Sequence, residues 1–168
     1  MYHRTKKLPL NGKHGDGKFT TVDVDFFDAV SQYRWYMTKD GYVYRSQHIS
    51  GSGRNRVKKN IALHREIAGA PIGKVVDHLD RNPLNNARAN LRICTRSQNE
   101  ANSPSRGGTS KYKGVSRNIG RGKAWQSGIK FQYKRIALGM FDTEKEAAKA
   151  YDKKAKELFG EFAYINLI

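Results

Sequence analysis

Apolar positions along this chain recur with two different periods, and the periods mark its elements. Lys18-Phe19-Thr20-Thr21-Val22 reads as a strand, after which Phe26, Phe27 and Val30 share one helical face in a short segment starting near Asp25. Tyr33-Arg34-Trp35-Tyr36-Met37 and Tyr42-Val43-Tyr44-Arg45 flank Lys39-Asp40-Gly41, which predicts a β-hairpin closed by Asp-Gly. Aromatics at strand spacing are read as core rather than as a platform for stacked bases. Gly51-Ser52-Gly53-Arg54-Asn55-Arg56 shows no period and predicts a flexible basic loop, and Ile61 to Ala68 has helical spacing with Gly69 as its stop. Val75-Val76-Asp77-His78 then makes a short strand, and 79–89 is a long turn rich in Asn and Pro. Leu91-Arg92-Ile93-Cys94-Thr95 is the return strand, and Thr95 or Ser97 caps a short helix carrying Asn99.

Beyond this lies Asn102-Ser103-Pro104-Ser105-Arg106-Gly107-Gly108-Thr109-Ser110, a Gly, Ser and Pro cluster read as a linker. Three strand candidates follow, near Val115-Ser116-Arg117, Trp125 to Phe131 and Arg135 to Gly139. A helix comes next, opened by a Thr143/Glu146 capping box and closed by Gly160. Its apolar stripe of Ala147, Ala148, Tyr151, Ala155, Leu158 and Phe159 predicts a helix lying across a sheet.

Charge narrows the partners. Thirty-two Lys and Arg against 15 Asp and Glu leave +17 on 168 residues, and such a chain seeks polyanions. No acid occurs from Ala101 to Phe141, whose cations are Arg106, Lys111, Lys113, Arg117, Arg121, Lys123, Lys130, Lys134 and Arg135. They alternate with aromatic and β-branched residues, which predicts a sheet with one cationic face, suited to phosphate. The single cysteine, Cys94, excludes a disulfide framework and a four-cysteine zinc site. No apolar run reaches the length of a membrane span and no secretory signal is present, so the expectation is an intracellular protein with no membrane association and no evident obligate protein partner.

The candidate chemistry lies at Asp77-His78, followed by Asn90 ahead of Leu91-Arg92-Ile93 and by Asn99 nine residues later. A carboxylate and a histidine adjacent at a strand end, with an amide returning on a helix, put a metal and a general base on one phosphate. The segment from His64 to Asn102 resembles the HNH endonucleases, in particular the homing enzymes of phages, whose ββα-metal fold ends its first strand on the motif histidine. The resemblance implies that Asp77 and Asn99 hold a divalent cation, Mg²⁺ or Mn²⁺, and that His78 is the general base. It implies that Asn90 orients the histidine or its loop. His64 is read either as an accessory group, on the phosphate or shaping the site, or equally well as a structural residue.

Residues 111–167 resemble the APETALA2/ethylene-response-factor DNA-binding domain. The likeness is carried by Tyr112-Lys113-Gly114-Val115, Leu138-Gly139-Met140-Phe141-Asp142-Thr143, Glu146-Ala147-Ala148-Lys149-Ala150-Tyr151-Asp152 and Ile165-Asn166. It implies that Lys113, Arg117, Trp125, Lys130 and Arg135 face DNA, although Trp125 serves equally well as core beneath the sheet. The expected fold is α+β: an N-terminal β-hairpin region (1–60), a ββα-metal nuclease core (61–102), a linker (103–110), and a three-stranded antiparallel sheet packed on one helix (111–168). The expected activity is metal-dependent hydrolysis of double-stranded DNA, targeted by the C-terminal module. Its competitor is a non-catalytic DNA-binding regulator. Residues 1–105, which contain every proposed catalytic group, are expected to keep unselective nicking on their own.

Overall fold

Residues 5–9, which carry no strand signal of their own, form β1 (Thr5–Pro9) by pairing antiparallel with β2 (Phe19–Asp23), from Thr5↔Asp23 to Pro9↔Phe19. The gain is burial, because Leu8 and Val22 enter the core from this pair. Helix α1 (Val24–Ser31) follows directly and buries Val30. The computed structural model describes residues 4–120, 122 and 124–166, so Arg121 and Lys123 of the basic stretch lie outside the described residues. It divides the chain into two units, Met1–Cys94 and Thr95–Ile168.

The expected hairpin forms from β3 (Tyr36–Met37) and β4 (Val43–Ser50), with Gly41 N–H donating to the Thr38 carbonyl at 3.0 Å in the turn. Trp35, just ahead of it, is fully buried and donates its indole N–H to the Val30 carbonyl at 2.8 Å. That places this part of the aromatic ladder in the core. A third strand, β5 (Val57–Ala62), pairs with β4 and takes Ile61 and Ala62 out of the expected helix. Polar Lys58-Lys59-Asn60 gives no alternation to read, and the pairing edge of β4 decides the conformation. Helix α2 (Leu63–Ala68) therefore starts later than its pattern suggests and stops at Gly69 in the left-handed region, φ 62°. It packs against β4, β5 and the antiparallel pair β6 (Val75–His78) and β7 (Leu91–Cys94). Leu63, Ile67, Val76 and Leu91 join Val22, Val30, Trp35 and Val43 in one core.

In the second unit, Thr95 caps α3 (Arg96–Asn102) through a complete capping box with Gln98. Residues 103–110, the expected linker, lie within this unit. Strands β8 (Val115–Arg117), β9 (Trp125–Phe131) and β10 (Lys134–Phe141) form an antiparallel sheet with β9 in the centre. Helix α4 (Glu144–Phe159) crosses it behind the expected Thr143/Glu146 box, and a 3-10 turn (Gly160–Phe162) follows. Gly114, at φ +76°, has no substitute here, because a Cβ would run into the Tyr151 ring of α4 and the Gly128 carbonyl of β9. The β9–β10 turn is Gln132-Tyr133, both residues at positive φ as a two-residue hairpin requires. Among the described residues, no helix is long and apolar enough to cross a membrane.

Candidate nuclease site and sheet surface

Strand β6 delivers the two central groups. Alternation sends His78 to the face of Val76, toward α2, and Asp77 to the opposite face, where the register sets Arg92 of β7 directly across. Both are buried, at 6% exposure for Asp77 and 5% for His78. Arg92 donates to Asp77 Oδ2 from Nε at 2.9 Å and from Nη2 at 2.7 Å, which fixes the carboxylate and compensates its charge.

The His78 ring is set by a residue of the Asn-rich 79–89 turn. Asn86, fully buried, donates its two amide hydrogens to Thr20 Oγ1 at 2.7 Å and to the Pro83 carbonyl at 3.0 Å. Its Oδ1 is therefore an acceptor, and His78 Nε2 donates to it at 3.3 Å. The neutral ring then carries its basic lone pair on Nδ1. Burial lowers the His78 pKa below its ordinary value, against the raising effects of the Asn86 bond and of Asp80 and Asp77.

Asn90 holds the loop. Its Oδ1 accepts from Asp80 N–H at 3.0 Å, and its Nδ2 donates to Asp80 Oδ1 at 2.9 Å and to the Asn85 carbonyl at 2.8 Å. Asp80 gathers the same loop, accepting from Asn82 N–H at 2.8 Å and Asn85 Nδ2 at 2.7 Å. Burial raises its carboxyl pKa, but the bonds from Asn85, Asn82 and Asn90 and the nearness of His78 outweigh that and hold it below the ordinary value. Of the two functions that the resemblance implies for Asn90, ring or loop, its bonds serve the loop.

His64, on the first turn of α2, stands edge-on to His78 with ring centroids 5.4 Å apart, and Tyr42 lies 5.7 Å from His64 and 6.2 Å from His78. Its Nδ1 is buried without a hydrogen-bond partner among the described residues. Burial first, then the proximity of His78 and Arg65, pushes its pKa down to about 4, so the ring is neutral at pH 7. Its ring lies against that of His78. Asn99 lies on α3 in the second unit, and its side-chain amide takes no protein partner among the described residues.

The five residues expected on DNA separate into three groups. Lys130 and Arg135 are exposed and sit directly opposite each other on β9 and β10. Trp125 packs with Tyr112, Val115, Ala147 and Ala148 in the core under the sheet, and Arg117, paired opposite Trp125, projects on that helix side at the open end of β8. Lys113 turns inward to α3, with Nζ 2.6–2.9 Å from three backbone carbonyls. Register explains the division within the sheet, where on β8 and β9 alternate positions serve core and surface, whereas Lys113 precedes β8.

Comparison with known proteins points to one family. The HNH endonuclease family model matches residues 68–101, a stretch holding Asp77, His78, Asn86, Asn90 and Asn99. A protein described as an uncharacterized HNH endonuclease of Acanthamoeba polyphaga mimivirus is 34% identical over 154 residues, covering 92% of this chain and 78% of that protein. This chain belongs to the HNH endonuclease family. No solved structure matches it.

As an HNH endonuclease the protein is a nuclease, and HNH nucleases are generally divalent-metal dependent. Within the first unit the donor chemistry suits a hard cation, since Asp77 offers a buried carboxylate. The one thiol, Cys94, is buried, and burial followed by Asp77 raises its pKa above the ordinary value. Among the described residues no group of three His, Cys, Asp or Glu forms a cage, so water and phosphate oxygens would complete the shell of an ion held here.

Proposed function

We propose that this HNH nuclease hydrolyses double-stranded DNA in the manner of a homing endonuclease, with His78 as general base and Asp77 and Asn99 as ligands of Mg²⁺ or Mn²⁺. The observation that carries the reading is a buried neutral imidazole, bonded through Nε2 to Asn86 and adjacent in sequence to a buried carboxylate. In this reading His78 Nδ1 takes a proton from water as the water oxygen attacks phosphorus, and the leaving oxygen departs and is protonated from solvent. Because burial depresses its pKa, His78 is ready to accept that proton at neutral pH. A bound divalent cation supplies neutralisation of charge on the scissile phosphate and the leaving oxygen. Asn90 keeps the 79–89 loop folded beside the strand ends, and Arg92 holds Asp77 in place.

The second unit is read as the targeting element. Lys130 and Arg135 lie on the sheet face away from α4, as expected if that face meets duplex DNA, and the resemblance to the APETALA2 domain supports the same face. Incubation with matched duplex DNA and RNA, in Mg²⁺ or Mn²⁺ and in EDTA, tests the proposal. Metal-dependent cleavage of the DNA is expected. Full activity in EDTA, or cleavage of the RNA in preference to the DNA, overturns it.

A further inference from the structure

A seven-residue helix has more end groups than internal ones, and the carbonyls of its last turn need donors from elsewhere. In α3 those carbonyls are gathered by one side chain. Lys113 Nζ donates to the carbonyls of Glu100 at 2.9 Å, Ala101 at 2.7 Å and Ser103 at 2.6 Å, which uses all three ammonium hydrogens. Tyr164 N–H adds a bond to the Ala101 carbonyl at 3.0 Å, and its ring lies 5.7 Å from the same ammonium.

The lysine is itself held. Its backbone N–H donates to Asn166 Oδ1 at 2.8 Å, and Asn166 is tied to Asp152 of α4 by bonds of 2.8 and 3.0 Å. Burial, aided by Arg106 and opposed by Glu100, pushes the Lys113 pKa down to about 8, the mark of a cation drawn out of water. A positive charge at a helix C-terminus is also favoured by the helix dipole.

We propose that Lys113 is a positioning residue that clamps the C-terminus of α3 to the sheet-and-helix fold of the second unit and thereby sets Asn99 for metal binding. The proposal rests on the reading of Asn99 as a ligand. It takes Lys113 out of the set of residues on DNA.

Hydrogen exchange of the full-length protein, free of metal and DNA, tests the clamp directly. Lys113→Met keeps the apolar stem and removes the ammonium. It should speed exchange of residues 96–103 about tenfold, the size expected when charge-assisted bonds are lost, with the strand amides of β9 and β10 unchanged. Lys113→Arg, which keeps a cation at the helix end, should fall between parent and Lys113→Met. The Mn²⁺ concentration for half-maximal cleavage should rise in Lys113→Met while duplex affinity and its salt dependence hold. Parental exchange in α3, together with a salt slope reduced by about 0.9, would identify Lys113 as a phosphate contact and overturn the proposal. A loosened α3 with a parental metal requirement also overturns it, provided that Asn99→Ala run alongside raises that requirement. If Asn99→Ala leaves it unchanged, the ligand reading fails, and α3 exchange alone decides the clamp.

Discussion

Asn86→Ala probes the link between the fold of the 79–89 loop and the chemistry of His78. The substitution removes three hydrogen bonds: those to Thr20 Oγ1 and the Pro83 carbonyl, and the one accepted from His78 Nε2. Thr20 keeps an acceptor for its hydroxyl proton in the Leu84 carbonyl at 2.8 Å, so its loss is partial. At about 0.5–1.5 kcal/mol for each bond, the expected destabilisation is about 2–4 kcal/mol, readable by urea unfolding. The rate effect is separate. The Nε2 bond selects the tautomer with Nδ1 as base, and losing a preference of about 1.4 kcal/mol slows the chemical step about tenfold. Single-turnover cleavage under conditions where the variant is folded measures it, with duplex affinity unchanged. Asn86→Asp restores an acceptor but adds an anion, which favours the imidazolium and moves the acid limb of the pH–rate profile to higher pH. A folded Asn86→Ala protein that cleaves within about twofold of the parent would refute the assignment, since the base would then need no orienting partner.

Two further predictions follow from the geometry. His64 is lowered from 6.5 to about 4 in the folded state, so between those values the unfolded chain binds the proton and the folded one does not; stability should fall as pH drops through that window. His64→Gln should flatten the slope in denaturant titrations, and an unchanged slope would assign the acid sensitivity to other groups. Truncation after Ser105 removes Lys113, Tyr164 and α4, all partners of α3, so the fragment should lose cleavage together with the ordered helix. That outcome is opposite to the residual nicking expected of residues 1–105 from sequence, and metal-dependent nicking by the fragment would restore the simpler division.

Periodic and capped elements were legible in the sequence: β2, α1, the β6–β7 pair, β8, β9, β10 and α4 fall close to their patterns, the Thr143/Glu146 box forms, and Thr95, one of two cap candidates, caps α3. What stayed hidden depends on partners distant in sequence. β1 and β5 carry no alternation and become strands because β2 and β4 offer pairing edges. Asn86 looks like any residue of an Asn-rich turn, and only its contact with Thr20, sixty-six positions away, reveals it as the partner of His78. Lys113 sits in a basic stretch beside residues that do reach the surface. Its inward course follows from burial of the Tyr112-Lys113-Gly114 corner against α3 and Asn166, which charge patterning does not encode.

His78→Ala is the decisive variant for the proposal that a neutral His78 is the base of a DNA-cleaving HNH centre. Single-turnover cleavage of duplex DNA in Mg²⁺ or Mn²⁺, with binding measured on the same preparation, should show the rate lowered by about 10² to 10⁴ at unchanged affinity. A variant that binds normally and cleaves within about threefold of the parent would contradict the account, because removing a general base cannot leave the chemical step so nearly intact.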